Sequence, residues 1–586
     1  MRQSLANNQE IAAVFNTIAD ILDIKGENPF RIRAYRRAAQ QISQLSDELA
    51  TLAPDRRREI PGIGADLGHK IDELVSTGRS AYLDGLRQSL PQGVLDMLTI
   101  PGVGPRTAKA VYEQLHIDSI EKLEKAARSH RLQQLAGFKK KTEANILHGI
   151  DLIRQGQERL LLSQAQEAAD EIIGPLRRLK TVRQICSAGS LRRQKETVRD
   201  IDILVTSSKP QAVMDAVAGL AAAHEVLSHG RTKTAIRTAA GIQVDVRVVA
   251  PESFGAALVY FTGSKAHNIR IRDLAKRQGL KVNEYGVFAE KTGQRIAGRS
   301  EEEVYRALGL AYVEPELRED SGEIEAAQAG TLPRLVTEKS IRGDTHAHSD
   351  WSDGKDSIEA MARAMRERGY EYMVLSDHSQ SLGIAAGLSP QRLRQQIARV
   401  KALNKKFKDF RILCAAEVDI KLDGRLDFDE DILAELDIVL AAVHSGFKQS
   451  RDTMTRRLVA AMHQPRVNII VHPLGRVIAE RSAYEVDWDE ILRTARQTNT
   501  ALEINCYPKR LDLDDIHARA AKDAGVMIAL GSDSHRVSQI GFMRWGVSVA
   551  RRAWLEEKDV LNCLSCEELL QWTQAKRHAL NGGRCD

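Results

Sequence analysis

From Ile341 onward the chain repeats one pattern. A short apolar run closes on a charged, amide or imidazole residue, and a helical stretch follows. The runs are YMVLSD, RILCAAEVDI, IVLAAVH, VNIIVHP, TALEIN and VMIALGSD. Runs this continuously apolar are buried on both faces, as strands of a parallel sheet are, and the helices between them supply the crossovers. In a βα barrel the C-terminal strand ends converge on one face and build one site. Nine residues of metal-ligating type fall in short motifs there: His346, His348 and Asp353 in DTHAHSDWSDG, His378 in SDHS, Glu417 in AAEVD, His444 in AVHSG, His472 in IVHPLGR, and Asp533 with His535 in GSDSH. His346 and His348 are two apart and point the same way, as do Asp533 and His535. Mixed imidazole and carboxylate donors suit Zn²⁺, Mn²⁺ or Fe²⁺ better than Mg²⁺ alone. Arg476, just past His472, has two readings, a phosphate contact or a solvated side chain.

The rest of the chain differs in charge. Residues 1–300 hold 45 Lys and Arg against 33 Asp and Glu, a net of +12, while residues 301–586 hold 40 against 46, a net of −6. A basic front half points to a polyanionic partner. At 586 residues the chain has room for about four domains, and its 43% hydrophobic and 28% charged content excludes a collagen-like or wholly disordered chain. The N-terminal MRQSLANNQEIAAVF lacks the basic and apolar regions of a secretory signal, and no apolar run reaches the ~20 residues that span a bilayer. Six cysteines are too sparse for a disulfide framework and suit a reducing compartment. A cytoplasmic, nucleoid-associated monomer without membrane contact is expected.

Residues 1–150 carry apolar residues at helical spacing, as at Ile11, Phe15, Ile18 and Leu22. EIPGIGADLGHKIDEL from Glu59 and TIPGVGPRTAKAVYEQL from Thr99 share an I-P-G-h-G pattern and a helical run about 40 residues apart; a weaker copy is LAGFKKKTEANIL from Leu135. Gly62, Gly64, Gly102 and Gly104 allow close backbone approach at a helix start, where N–H donors can hold a DNA phosphate. Residues 151–310 mix helices with short strands at Asp200–Val205 and Gln243–Val249. Residues 311–340 crowd Glu314, Glu316, Glu319, Asp320, Glu323 and Glu325 among Pro and Gly, and read as a solvated linker.

In AGSLRRQKETVRDIDILV, Asp200 and Asp202 stand two apart on a strand, so both carboxylates leave one face. Hard Mg²⁺ or Mn²⁺ takes such oxygen ligands and keeps positions for phosphate and water. Asp245, on the strand IQVDVRVV, can add a third carboxylate and complete a two-ion clamp for in-line displacement. Gly189, Ser190, Arg192 and Arg193 offer donors for a triphosphate.

GSLRR…DIDILV, VDVRVV, YFTGSKAHNIRIR and NEYGVF together resemble family X DNA polymerases, the DNA polymerase beta type, and the glycine-rich repeats resemble helix-hairpin-helix motifs. The histidine motifs resemble the polymerase and histidinol phosphatase (PHP) domain. The first resemblance implies a nucleotidyltransferase arrangement of lyase-like, fingers, palm and thumb parts. Asp200 and Asp202 would be metal ligands and Asp245 the carboxylate that activates the primer 3′-hydroxyl. Ser190 and Arg193 would contact the triphosphate, and Tyr260, Phe261 and Gly263 the incoming sugar. Asn268 and Arg272 would touch the minor groove and template. Arg31 and Tyr35 in NPFRIRAYRRAA match a 5′-phosphate-binding helix, and Lys70 the Schiff-base lysine of a lyase. Three positions depart from the family: Arg199 in place of a glycine, Gln243 in place of an arginine, and Asp66 in place of a lysine. The second resemblance implies a distorted βα barrel with three ions. His346, His348, Glu417 and Asp533 would hold one. Glu417, with His444 and His472, would hold the second, and Asp353, His378 and His535 the third.

The implied division is a lyase-like domain at 1–90, fingers at 91–150, palm at 151–255, thumb at 256–315, a linker at 316–340 and a PHP barrel at 341–580. The implied function is a DNA-directed polymerase that fills short gaps from dNTPs in repair. Its barrel would be a 3′–5′ exonuclease, an abasic-site endonuclease or a 3′-phosphatase. Two other readings stay open: a weak polymerase half that positions DNA for a PHP nuclease, and a small-molecule phosphatase.

Overall fold

The computed structural model describes residues 8–44, 49, 52–58, 60, 63–100, 102–135 and 137–581. The chain forms two compact units, Met1–Gln157 and Glu158–Asp586.

The first unit is helical. Ile11, Phe15, Ile18 and Leu22 line one face of the helix Asn8–Lys25 and pack on Ala38, Ala39 and Ile42 of the helix Pro29–Gln44. A second core gathers Val103, Ala108, Val111, Leu123 and Ile146. Gly64 precedes the helix Ala65–Thr77, and Gly104 precedes Pro105–Leu115, whose first residue is a proline suited to a helix start. Gly102 has φ +89°, a conformation that a residue with a Cβ rarely adopts.

In the second unit a five-stranded sheet runs in the order Val182–Ser187, Asp200–Ser207, Gln243–Val248, Lys233–Arg237, Glu225–His229. Ile201, Ile203 and Val205 face the apolar stripe of the helix Leu162–Arg177 and are fully buried. A three-stranded sheet of Leu280–Asn283, Gly286–Ala289 and Arg295–Ala297 follows. Seven parallel strands, in sequence order from Gly343–Ala347 to Ile528–Gly531, form the barrel. Its first and last strands meet through backbone bonds, Asp533 N to His346 O and His348 N to Ser534 O, both 2.9 Å. That seam pins together three of the expected metal ligands.

Residues 311–340 are not a solvated linker. Leu317, Ile324 and Ala327 are buried, and so are Arg318 and Glu323. The acidic residues are counter-charges rather than a solvated run. Glu316 pairs with Arg551 at 2.7 Å, Glu319 with Arg193 and Arg552 at 3.0 Å each, and Glu323 with His267 at 2.7 Å. The partners lie more than 40 residues away, which no local charge pattern reveals.

Arg318 is fully buried between the rings of Tyr305 and Tyr312 and pairs with Glu301 at 2.7 Å. Arg192 donates to both oxygens of Glu301, at 2.7 and 2.6 Å. Burial pushes Glu301 up, but the hydrogen bonds and charges of Arg192 and Arg318 hold it down at about 2. Its folded value lies below the ordinary 4.5, so its stabilisation is full above about pH 4.5 and is lost as the pH falls toward about 2. Glu301→Ala leaves two buried guanidinium groups uncompensated and is expected to cost about 3–5 kcal/mol. Denaturant melts at pH 7 and pH 3 check this: the loss at pH 3 is the smaller.

Candidate active sites

The palm site follows from strand register. Asp202 stands opposite Asp245 on neighbouring parallel strands, and Asp200 opposite Gln243. With Ile201 and Ile203 turned into the core, Asp200 and Asp202 leave the opposite face beside Asp245. Burial pushes Asp202 up to about 6, and the charges of Asp200 and Asp245 add to the shift. A divalent cation relieves this repulsion. Asp245 meanwhile pairs with Lys233 at 2.9 Å and accepts from Gln243 at 3.0 Å. Gly189, at φ +64°, lets the backbone pass Asp202: a Cβ there would lie 3.0 Å from the carboxylate. Ser190 is half-buried on the next position.

Arg193 is engaged by Glu319 and by the carbonyl of Thr262. A Cβ on Gly263 would lie 3.2 Å from its guanidinium. Tyr260 and Phe261 meet edge to face at 5.0 Å, and Asn268 donates to the Tyr260 carbonyl at 2.7 Å. Arg272 donates to the Asn268 carbonyl at 3.2 Å. Arg199 is exposed beside Asp200. Arg192 is not free for a triphosphate, because Glu301 holds it from both sides.

The barrel site is a ring around Glu417, which is buried at the end of Arg411–Asp419. Its oxygens lie 2.8 Å from His472, 3.0 Å from His378, 3.1 Å from His444 and 3.4 Å from His346. Asp533 lies 3.2 Å from His348, and Asp353 lies 3.2 Å from His535 and 3.5 Å from His378. Three sets bring a donor atom from each residue within 4.8 Å of one another. They are His346, His348 and Asp533; His378, Glu417 and His444; and His348, Asp353, His378 and His535. His348 and His378 each stand in two sets, so the ligands are shared more widely than the expected partition. Although burial opposes the charged form, the surrounding imidazoles hold Glu417 and Asp533 well below the ordinary carboxylate range.

These donors fit divalent cations. Nε2 of His346 and Nε2 of His348 face each other at 3.1 Å, and Nδ1 of His348 and of His472 are buried without a hydrogen-bond partner. Buried polar atoms of that kind call for a ligand. Burial, with Arg510 nearby, brings His472 down to about 3, which keeps it a neutral donor.

Four residues outside the nine complete the site. Glu503 contacts Nδ1 of His346 at 2.7 Å and accepts from the backbone N of His472 at 2.7 Å. Asp419 contacts Nδ1 of His444 at 2.6 Å. Asn505 donates to Asp533 at 3.0 Å. Arg510 lies 3.8 Å from Asp533, with one guanidinium nitrogen buried and unpartnered. Asp419 was within reach of the strand alternation that starts at Glu417; Arg510 lies in a loop and carries no such signal. Asp419 and Glu503 fix ring orientation and raise ligand basicity. Asp419→Asn is expected to weaken metal binding about 10–100-fold, as competition with a chromogenic chelator would read. Arg476 is neither solvated nor free for phosphate. It donates to Glu196 at 2.7 Å and to the Leu511 carbonyl at 2.5 Å, tying barrel to palm.

In the helical unit, Gly62 lies outside the described residues. Lys70 is only 14% exposed and pairs with Asp66 at 2.5 Å over the ring of Tyr82. Arg31 lies over the same ring and is exposed. Tyr35 is a core residue, 1% exposed and stacked on Tyr82, so it presents no surface to a phosphate. Its ring belongs to the apolar face of a helix whose opposite face carries the arginines.

A three-carboxylate palm and a ring of imidazole and carboxylate donors in a βα barrel define a two-centre, divalent-metal-dependent enzyme. Residues 6–80 match a helix-hairpin-helix domain, 94–150 a SAM-like helix-hairpin-helix tandem, 257–319 the DNA polymerase beta thumb and 344–506 the PHP domain. The chain is 38% identical to the DNA polymerase/3′-5′ exonuclease PolX of Bacillus subtilis over 565 residues, 96% of this chain and 98% of that protein. Probable phosphatases of Thermoanaerobacter sp. strain X514 and Caldanaerobacter subterraneus are 29% and 30% identical over 41% of this chain. They are covered over 97% and 94% of their own lengths. The chain belongs to the family X DNA polymerases that carry a C-terminal PHP domain.

Proposed function

We propose that this chain extends a DNA primer across short gaps during repair and removes nucleotides from DNA 3′ ends at its PHP centre. The observation that carries this reading is the presence of two separate donor constellations in one compact unit: the Asp202–Asp245 register pair and the ring around Glu417.

In the palm, Asp200, Asp202 and Asp245 would hold Mg²⁺ or Mn²⁺, which supplies charge neutralisation for the attacking and leaving oxygens of phosphoryl transfer. Gly189 and Ser190 admit the triphosphate close to Asp202. Arg193 joins them once it leaves Glu319. Tyr260, Phe261 and Gly263 face the sugar, while Asn268 and Arg272 hold the paired strand. Asp245 exchanges Lys233 for the primer 3′-hydroxyl. In the barrel, the nine donors would hold Zn²⁺, Mn²⁺ or Fe²⁺, which supplies an activated water and polarises the phosphoester. Arg510 is placed to bind the phosphate. The glycine-led helix starts at Gly64 and Gly104 offer backbone N–H donors to DNA phosphates. An abasic sugar at the lyase position would meet the Lys70–Asp66 pair rather than a free amine.

The likeness to two probable phosphatases favours a second reading, in which a small phosphate monoester is the barrel's substrate. One experiment separates the readings. The full chain is given a gapped duplex with dNTPs, then a 3′-recessed duplex without them, then a small phosphate monoester, each with Mg²⁺ or Mn²⁺. Gap filling and 3′ shortening are expected; hydrolysis of the monoester alone would leave the second reading standing. No helix among the described residues is long and apolar enough to cross a membrane. A cytoplasmic monomer at the nucleoid completes the proposal.

A further inference from the structure

Beside the ring around Glu417 the barrel opens into a pocket of about 430 Å³, with His444 in its lining. Its lining is Ser381, Leu382, Asp419, the loop Ile420–Asp423, His444 and Ser445. The volume falls in the ~300–1,000 Å³ range of small-ligand sites.

Three observations mark it as a built site. First, its walls are riveted from below. The buried Arg457 donates to the Ile420 carbonyl at 3.1 Å and to the Ser445 carbonyl at 2.8 Å. Ser381 donates its backbone N–H to Asp427 at 2.7 Å and its hydroxyl to Asp419 at 2.6 Å. A buried guanidinium is a costly way to hold two exposed loops, and it fixes the pocket's width. Second, Leu422 is 58% exposed at the pocket rim. Gly446, at φ +69°, keeps room for it, since a Cβ there would lie 2.4 Å from the Leu422 side chain. An apolar side chain left in water beside a pocket has a partner surface to gain. Third, the pocket is continuous with the metal centre. Asp419 lines it and also orients His444, whose other nitrogen lies 3.1 Å from Glu417.

We propose that this pocket receives the base and sugar of the DNA 3′-terminal nucleotide while its phosphate lies at the metal centre, with Leu422 against the face of the base. The proposal rests on the reading of the barrel as a nuclease. A flat apolar contact accepts any base, which a nuclease that trims DNA ends of every sequence requires. Ser381 and Ser445 offer hydroxyl oxygens to the sugar, and Lys421, 45% exposed, pairs with the buried Asp427 at 3.3 Å. The chemistry is phosphodiester hydrolysis. Water adds at phosphorus, the bond to the 3′-oxygen of the preceding nucleotide breaks, that oxygen takes a proton, and a deoxynucleoside 5′-monophosphate is left in the pocket.

The test uses the full chain loaded with Mn²⁺, with Leu422→Asp and Leu422→Ala. Titration calorimetry compares deoxynucleoside 5′-monophosphates with inorganic phosphate. In the wild type the monophosphates bind tighter than phosphate by about tenfold, with little difference among the four bases. In both variants that advantage disappears while phosphate affinity stays, and primer extension is unchanged. Release of nucleotides from a 3′-recessed duplex falls by the same factor. Equal affinity for phosphate and nucleotide in the wild type overturns the proposal, as does an undiminished advantage in Leu422→Asp. The calorimetry stands apart from activity: nucleotide selectivity in a chain inactive on DNA would leave the pocket in place and count against the nuclease reading.

Discussion

Glu417→Gln is expected to lower nucleotide release from DNA 3′ ends on the order of a thousandfold, about 4 kcal/mol in barrier, and to leave gap filling intact. The carboxylate of Glu417 lies within 3.4 Å of four imidazoles. Glutamine keeps the volume and removes the charge. Four imidazoles then surround a neutral amide, and the cations that Glu417 would hold lose an anionic ligand. The metal content of the purified variant falls with the activity. Gap filling persists because the palm carboxylates share no side chain with the ring. A variant that kept its metals and its nuclease would place the chemistry elsewhere; one that lost both activities while still folded would break the two-centre scheme.

Asp202→Asn is expected to do the reverse in activity and something further in stability. Primer extension falls on the order of a thousandfold, about 4 kcal/mol in barrier, while 3′ shortening continues. In chelator the variant melts at a higher temperature than the wild type. Burial and the charges of Asp200 and Asp245 raise Asp202 from 3.8 to about 6, so its charged form is disfavoured in the folded state. That cost is full above about pH 6, shrinks as the pH falls and vanishes below about pH 3.8, where the group is protonated folded or unfolded. The melting difference follows the same course. Saturating Mg²⁺ reverses it, because only the wild type gains the ion. Active sites that hold like charges together trade stability for function in this manner. Equal melting temperatures at pH 7.5 in chelator would mean that the three carboxylates do not converge.

The two centres were legible in the sequence to different depths. The nine barrel ligands sit at or just past the ends of apolar strands, and a strand end is defined by local hydrophobicity, so a single pass along the chain finds them. Asp200 and Asp202 follow from the two-residue period of a strand. The pairing of Asp202 with Asp245 is different, since it depends on which strands neighbour each other. Glu503, Asp419 and Asn505 act through other side chains and lie on the strands Arg411–Asp419 and Ala501–Asn505, while Arg510 lies in a loop and leaves no trace in a strand pattern.

The segment 311–340 marks the boundary. Its composition is that of a solvated linker, and every acidic residue was visible. Solvation was nevertheless the wrong outcome, because Arg193, Arg551 and Arg552 arrive from distant elements to neutralise Glu316 and Glu319. Arg476, with its two readings of phosphate contact or solvated side chain, bridges to Glu196 instead, and Tyr35, which the resemblance sets on a phosphate-binding helix, sits in a core.

Short-range periodicity and residue chemistry, both properties of neighbouring residues, therefore determined the class of fold and singled out the candidate palm carboxylates and the candidate ring of imidazole and carboxylate donors. Tertiary structure alone decided which arginines are free, which carboxylate is shifted and where a pocket opens beside His444. Those depend on charge compensation and burial between residues tens to hundreds of positions apart, and Coulomb energy and desolvation are functions of distance in space.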